Sequence, residues 1–537
     1  MEASEARSDG FKLGSSGSVS RSSIPVLAET MAPAAVRHLL FEPRRIASNC
    51  GRTIRMASTT KALAARDASD PTSLRRLSRE DLINLAVGHP AELPSEVMAA
   101  AMVDAAERLR DTGVVGESAT QELNYVARWG SPETLDAIAR FLTDQYAFAS
   151  EPKEKEARGV RPESLMITNG VSHGIDLACA QLTKPGDIVV VELPTYFLAA
   201  DVFRDNGLDV VGVDGLEEGI GPDGLPDGTP GYFDVGALER RLRVDGLRPR
   251  LVYLVPTHSN PRGGTLPERD RKRLVKLAVE FNFYVLADEV YHLLHWGEEP
   301  PPPRMCEVEQ NVLKVAGLSD WDDDAGKGKG KAAAAWEVRR SDDVYEASAT
   351  LESSGRSSAA RVVSVSSFTK ILAPGLRVGW IEAARSIVDM ISDRGYVNSG
   401  GCVAPFAASI VVSAIENGSQ ARWLRELRER YRGTSRVLHD AASREEASTG
   451  WKVASCPPSG GYFLWIELPA DCDERAVTRA AEDAGVAFLP GSRCVPRPLE
   501  RPREERSCRL CFAYLDEEKI VEGVKRLAES VRNARGK

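Results

Sequence analysis

Long apolar runs are missing from this 537-residue chain. No segment approaches the roughly 20 apolar residues that span a bilayer, so a membrane protein is not expected. A basic surplus is missing as well: 69 Lys and Arg stand against 78 Asp and Glu, a net charge of -9. No domain-scale cationic face follows, and nucleic acid is not an expected partner. Cysteine is sparse, nine residues in an odd and scattered set, which reads as reduced intracellular thiols and not as a disulfide framework. Only Cys508 and Cys511 have C-x-x-C spacing, and they fall in a strand-like run where residues three apart face opposite sides. His258, His292 and His295 have no acidic or thiol neighbour at zinc-site spacing and read as structural. No metal site is expected.

What the chain does have is an ordinary globular composition, 42% hydrophobic and 27% charged, enough for a sizeable core. Residues 1 to about 75 are rich in Ser, Ala and Arg without hydrophobic periodicity and are expected to lie outside the fold. Within them Arg37, Arg44, Arg45, Arg52 and Arg55 face one acid, Glu42, the balance of an organelle transit peptide. Glu2, Glu5 and Asp9 break that pattern at the start. Two readings stand: a mitochondrial or plastid address, or a disordered tail on a cytoplasmic protein.

Ordered sequence begins near Ile83. A helix is expected from Ser95 to Leu109, and Ser131-Pro132 has the form of an N-cap with proline at the first helical position. Leu135, Ile138, Phe141 and Leu142 would then line one face. From Leu165 to Val290 strand-like runs alternate with helical stretches. Several of the runs are apolar on both faces, the pattern of a mostly parallel sheet between helices. After His295 the periodicity stops. Pro300–Pro303 open a segment to about Ala360 that includes DDDAGKGKGKAAAA, read as a disordered surface insertion. The residues beyond about 396 alternate differently, as a smaller α+β domain.

The most informative stretch is Ser366 to Trp380, SSFTKILAPGLRVGW. Lys370 follows the β-branched run Val362–Val365 and precedes Pro374-Gly375 and Arg377, a context for a lysine aimed into a site. Lysine forms Schiff bases with carbonyl cofactors. Pyridoxal phosphate chemistry needs such an amine, an anion site and a carboxylate facing the pyridine nitrogen. Ser367 and Arg377 are candidates for the phosphate. So is the Thr168–His173 loop, which leads into a helix N-terminus with free N–H groups. Asp288, after apolar Val285 and Leu286, would need a cationic partner. Asn260, read at another strand end, and Tyr291 are candidate donors to a phenolic oxygen. Ligands of such sheets sit beyond the carboxyl ends of strands, where these residues fall.

In this order the motifs GHP, GVSHGIDL, HSNPRGG, ADEVYHLLHW and SSFTKILAPGLRVGW resemble the fold-type I, class I/II pyridoxal-phosphate aminotransferases, from about Leu82 to Arg532. The wording is closest to the branch acting on 2-aminoadipate and on aromatic or aliphatic amino acids. The resemblance implies an α/β fold with a mostly parallel sheet sandwiched by helices, plus a smaller α+β domain. Its parts would be a segment at 76–119 joining the small domain, a large cofactor domain at 120–395 with the insertion at about 300–360, and a small domain at 396–537.

It further implies that Lys370 binds the cofactor and moves the proton between substrate Cα and cofactor C4′. Asp288 would face the pyridine nitrogen, Asn260 and Tyr291 the ring oxygen, and Tyr196 the ring face. Val171, Ser172, Ser367, Arg377 and a partner subunit's Tyr125 would hold the phosphate, which requires a homodimer with shared sites. Arg509 would take the substrate α-carboxylate bidentately, with Gly88 beside it. The implied reaction is ping-pong transfer of an amino group from an L-amino acid to a 2-oxo acid such as 2-oxoglutarate. The same cofactor residues would also serve a β-lyase or an aminocyclopropane-carboxylate-synthase-like enzyme. A transcription regulator with this domain would need an N-terminal helix-turn-helix, and residues 1–75 show no such pair of amphipathic helices.

Overall fold

The computed structural model describes residues 82–90, 93–111, 125–147, 159–221, 224–318, 359–400, 404–496 and 506–535. All belong to the unit Leu74–Lys537. The proposed transit segment and the low-complexity tract lie outside the described residues.

Seven strands form the central sheet: β1 (Leu165–Thr168), β2 (Ile188–Leu193), β3 (Asp209–Asp214), β4 (Leu251–Leu254), β5 (Tyr284–Asp288), β6 (Val362–Ser367) and β7 (Gly379–Ala383). Their order is β1-β7-β6-β5-β4-β2-β3. Neighbours pair in parallel except at β7, which runs antiparallel to both β1 and β6. Strands β1, β4, β5, β6 and β7 are buried at every residue, as expected of a sheet with apolar side chains on both faces. Because β1, β2, β4, β5 and β6 point the same way, their carboxyl ends share one edge of the sheet. Antiparallel β7 begins at that same edge, which brings the residues just before it there too.

A second, antiparallel sheet has the order β8 (Lys452–Val453), β9 (Phe463–Glu467), β11 (Ser507–Cys511) and β10 (Leu489–Pro490). Ile83–Asn84 pairs in parallel with Val486–Ala487, tying the start of the ordered chain to this part of the molecule. The helix Pro132–Tyr146 starts where expected. Ser131 Oγ accepts from the Thr134 N–H at 3.2 Å, and Leu135, Ile138, Phe141 and Leu142 are buried. Among the described residues no helix is long and apolar enough to cross a membrane.

One expectation is overturned. The segment after Pro303 is not an insertion from its start, because Met305–Val315 is a helix with Met305, Cys306, Glu307, Val308, Glu309 and Leu313 buried. Two of its six buried residues are glutamates, which hid the periodicity. Glu309 accepts from the backbone N–H groups of Arg361 (2.5 Å) and Val362 (2.8 Å), anchoring the start of β6. Arg304, just before the helix, pairs with Glu382 of β7 at 3.0 Å, both side chains almost fully buried. The low-complexity tract therefore departs from a helix fixed to the sheet.

Candidate active site

Asp288 is the last residue of β5 and is 3% exposed. Tyr253, on the neighbouring strand β4, donates its hydroxyl to Asp288 Oδ2 at 3.0 Å, and the Val290 N–H donates to Oδ1 at 3.4 Å. Burial pushes the carboxyl up to about 6, while the tyrosine, the amide and the charge of Lys370 pull it down. A buried carboxylate so placed has capacity left for one cationic or N–H partner.

Lys370 follows β6 by three residues. Its Nζ donates to the Gly88 carbonyl at 2.6 Å and lies 5.4 Å from the Tyr462 ring centroid. Tyr462 in turn donates to the Lys370 carbonyl at 2.9 Å, which fixes the lysine backbone. Burial lowers the amine to about 8, with Arg509 and Arg377 adding to the effect and Asp288 opposing it. A lysine with so little preference for its charged form is suited to nucleophilic and proton-transfer work.

Arg509 is 3% exposed on β11, opposite Trp465 and Leu489 of the flanking strands. Its Nη1 donates to Asn260 Oδ1 and its Nη2 to the Ala86 carbonyl, each at 2.8 Å. The guanidinium carbon lies 4.0 Å from the centroid of the Phe463 ring, and Nε is buried without a hydrogen bond. A Cβ on Gly88 would stand 3.3 Å from Phe463 Cζ and 3.6 Å from Arg509 Nη2. Any side chain there would point toward the arginine.

At the end of β1, Gly170 (φ 78°) caps the helix Val171–Leu182 without a side-chain hydrogen bond, so the first N–H groups have no intrahelical or cap acceptor. Arg377 sits just before β7 at φ 53°. Its Nη2 donates to the Asn169 carbonyl at 3.1 Å. A Cβ on Gly170 would lie 2.6 Å from that Nη2, so only glycine lets the guanidinium close over the helix start. Ser172 is exposed and Val171 half-buried at this turn, and Ser367 is buried at the end of β6.

Tyr196 precedes the helix Phe197–Asp205. Burial pushes its hydroxyl up to about 12, with Asp288 adding to the shift. Tyr291 is buried between the rings of Tyr462 (5.4 Å) and Phe463 (5.9 Å). The fold thus gathers Gly88, Gly170, Tyr196, Asn260, Asp288, Tyr291, Lys370, Arg377 and Arg509 at one sheet edge. Asn260 is corrected in place: it lies six residues beyond β4, in a loop, and reaches Arg509 from there. Tyr125 is 80% exposed.

Sequence reasoning missed Tyr253, Tyr462 and Phe463. Tyr253 carried a signal, since a phenol inside the apolar run LVYLV must find a hydrogen-bond partner when buried. These residues fit pyridoxal phosphate by chemistry: an anion cradle closed over a glycine, a buried carboxylate with spare capacity, and a desolvated amine.

The family profile described as aminotransferase class I and II matches residues 80–527. An aromatic-amino-acid aminotransferase of Thermococcus litoralis is 26% identical over 474 residues, covering 88% of this chain and 93% of its own. A 2-aminoadipate transaminase of Thermus thermophilus is 27% identical over 411 residues, covering 74% and 86%. Among solved structures, the α-aminoadipate aminotransferase of Thermus thermophilus, complexed with N-(5′-phosphopyridoxyl)-L-leucine, matches with a TM-score of 0.62. It is 26% identical, with 89% of this chain and 99% of that chain covered. The matched range contains both sheets and every motif named above, and the chain belongs to the class I and II aminotransferases, transaminases that work with pyridoxal phosphate.

Proposed function

We propose that the enzyme takes the amino group of an aromatic, 2-aminoadipate-like or large aliphatic L-amino acid and passes it to a 2-oxo acid such as 2-oxoglutarate. The observation that carries the site assignment is the position of Gly88. Its carbonyl accepts from Lys370 Nζ, while its α-carbon faces Arg509 Nη2. A substrate whose carboxylate sits on Arg509 therefore has its Cα next to the Lys370 amine.

When bound, pyridoxal phosphate supplies an aldehyde that captures the amino group and a ring that accepts the electrons freed at Cα. Arg509 and Asn260 orient the carboxylate, and the stacked Phe463 keeps the guanidinium in one plane. Lys370 takes the proton from substrate Cα and returns it on the other side of the reaction. Asp288, held by Tyr253, would face the pyridine nitrogen and favour its protonated form. Arg377, Ser367, Ser172 and the N–H groups after Gly170 would hold the phosphate, Tyr196 would cover the ring, and Tyr291 with Asn260 would take the ring oxygen.

The exposure of Tyr125, Met102 (50%), Val103 (60%) and Phe406 (52%) supports a homodimer in which Tyr125 completes the partner's phosphate site. The two sheets support a large domain ending near 395 and a small one after it. Relatives named for aromatic amino acids and 2-aminoadipate support the substrate range. The test is Lys370→Ala: turnover with every amino acid is lost while the fold and dimer remain. Ordinary activity in that variant would refute the assignment.

A further inference from the structure

His258 and His295 are absorbed by none of these roles, yet they stand where the Asn260 loop meets the strand that carries Phe463. Their rings are stacked, 5.2 Å between centroids, with His258 Nε2 3.0 Å from His295 Nδ1. The surrounding acceptors fix the protons. The Glu299 carbonyl can only accept, so His295 Nε2 carries a hydrogen and donates to it at 2.7 Å. A neutral His295 then offers bare Nδ1, and His258 must donate from Nε2. His258 Nδ1 is left as an acceptor, 3.4 Å from the Thr265 hydroxyl, which itself accepts from the His258 backbone N–H at 3.1 Å. One direction of hydrogen bonding, Thr265 to His258 to His295 to Glu299, satisfies every member with both imidazoles neutral, and it requires a neutral His295.

The pair is wedged against a glycine joint. A Cβ on Gly460 would fall 2.0 Å from His258 Nε2, and one on Gly461 (φ 75°) would fall 2.7 Å from His258 Cβ. The same glycines are laced to the His295 segment: Gly461 N–H donates to Leu294 O at 2.9 Å, Trp296 N–H to Ser459 O at 2.9 Å, and Gly460 bridges His295. Asn260 lies two residues after His258, and Phe463 two residues after Gly461. Two of the three supports of the Arg509 guanidinium, Asn260 and Phe463, thus spring from this joint, the Ala86 carbonyl being the third.

We infer that His258 and His295 are positioning residues whose one-way relay sets the aim of Arg509 at the substrate carboxylate. This rests on the reading of Arg509 as the carboxylate anchor. Protonation of His295 at Nδ1 turns that acceptor into a donor facing the His258 Nε2–H and opens the relay, whereas a proton on His258 Nδ1 meets the Thr265 hydroxyl and leaves the bond between the rings in place. Burial disfavours protonation of both rings, and the charges around them add to it: Arg271, His292 and His295 at His258, and Arg428 and Arg432 from the helix Ser419–Thr449 at His295, opposed there by the Glu299 carbonyl. The relay is therefore intact at neutral pH and opens on acidification.

The test is binding of 3-phenylpropanoate, a carboxylate without an amino group, to the holoenzyme by calorimetry between pH 5.5 and 8. His295→Asn keeps an oxygen acceptor where Nδ1 stood and cannot titrate. It is expected to bind within about twofold of wild type at pH 8 and to lose the part of the acid weakening that wild type shows. His295→Leu removes the acceptor and is expected to weaken binding about tenfold at pH 8, with cofactor affinity unchanged. Should His295→Leu fail to fold, Thr265→Val breaks the far end of the relay, with a weakening of roughly threefold or more expected. Unchanged binding in both disrupted variants overturns the inference, as does an acid dependence identical in wild type and His295→Asn. A separate control, Arg509→Leu, must lose the carboxylate altogether; if it does not, the anchor reading fails and not the relay.

Discussion

The hydroxyl of Tyr253 donates to Asp288 Oδ2 at 3.0 Å from the middle of the adjacent strand. Both residues are fully packed, and Oδ1, which accepts the longer 3.4 Å bond from the Val290 N–H, keeps acceptor capacity at the sheet edge. Because the bond lowers the Asp288 carboxyl against the rise caused by burial, Tyr253→Phe is expected to favour the protonated acid. Pyridoxal phosphate should then bind the apoprotein about tenfold more weakly, measured by fluorescence titration, with little loss of fold. An unchanged affinity would remove Tyr253 from the site.

Lys370 provides a pH test. Burial holds its amine near 8 in place of the ordinary 10.5, and only the neutral amine attacks an aldehyde. Capture of pyridoxal phosphate by apoprotein should therefore accelerate with rising pH and level off above about 8, followed by stopped-flow absorbance. The stability of the apoprotein has a linked sign. Between about 8 and 10.5 the unfolded chain holds a proton that the folded one has released, so stability rises with pH there. Lys370→Met should flatten that part of the profile in urea titrations.

Behind the sheet, Glu382→Ala would leave the Arg304 guanidinium buried beside a lost partner. Breaking such a buried pair costs about 3–5 kcal/mol. Chemical denaturation should show that loss, whereas Glu522→Ala, which removes the half-exposed partner of Arg526, should stay within about 1 kcal/mol of wild type.

The residues that were legible in the sequence share a physical reason: each stood where local pattern and chemistry disagreed. Lys370 just beyond a β-branched run, Asp288 at the end of an apolar one and Gly170 between a strand and a helix each set a polar or conformationally special residue at the end of a buried strand. The helix at 305–315 was hidden because Glu307 and Glu309 lie on its buried side, where Glu309 accepts from the backbone N–H groups of Arg361 and Val362. Asn260 could be named but not placed, since five loop residues separate it from β4. The antiparallel run of β7 could not be read from its residues, because a buried strand of either direction is apolar on both faces.

The Arg377–Gly170 contact predicts a steric result. Gly170→Ala places a methyl group 2.6 Å from Arg377 Nη2 at a positive φ, so the guanidinium must swing away. Cofactor affinity should fall by about tenfold or more, while unliganded stability changes by about 1 kcal/mol. Equilibrium dialysis of the phosphate-bearing cofactor against pyridoxal, which lacks the phosphate, separates this from a general loosening: only the former should weaken.

The central claim is tested most directly by one spectrum. The holoenzyme is mixed with a single amino acid, chosen in turn from phenylalanine, kynurenine, 2-aminoadipate and leucine, with no oxo acid present. At least one should convert the cofactor absorbance to that of pyridoxamine phosphate, one equivalent per site, and 2-oxoglutarate should restore the original band. A cofactor band that none of the four converts, together with release of a thiol, pyruvate and ammonia from a cysteine S-conjugate, would contradict transamination and make the enzyme a β-lyase.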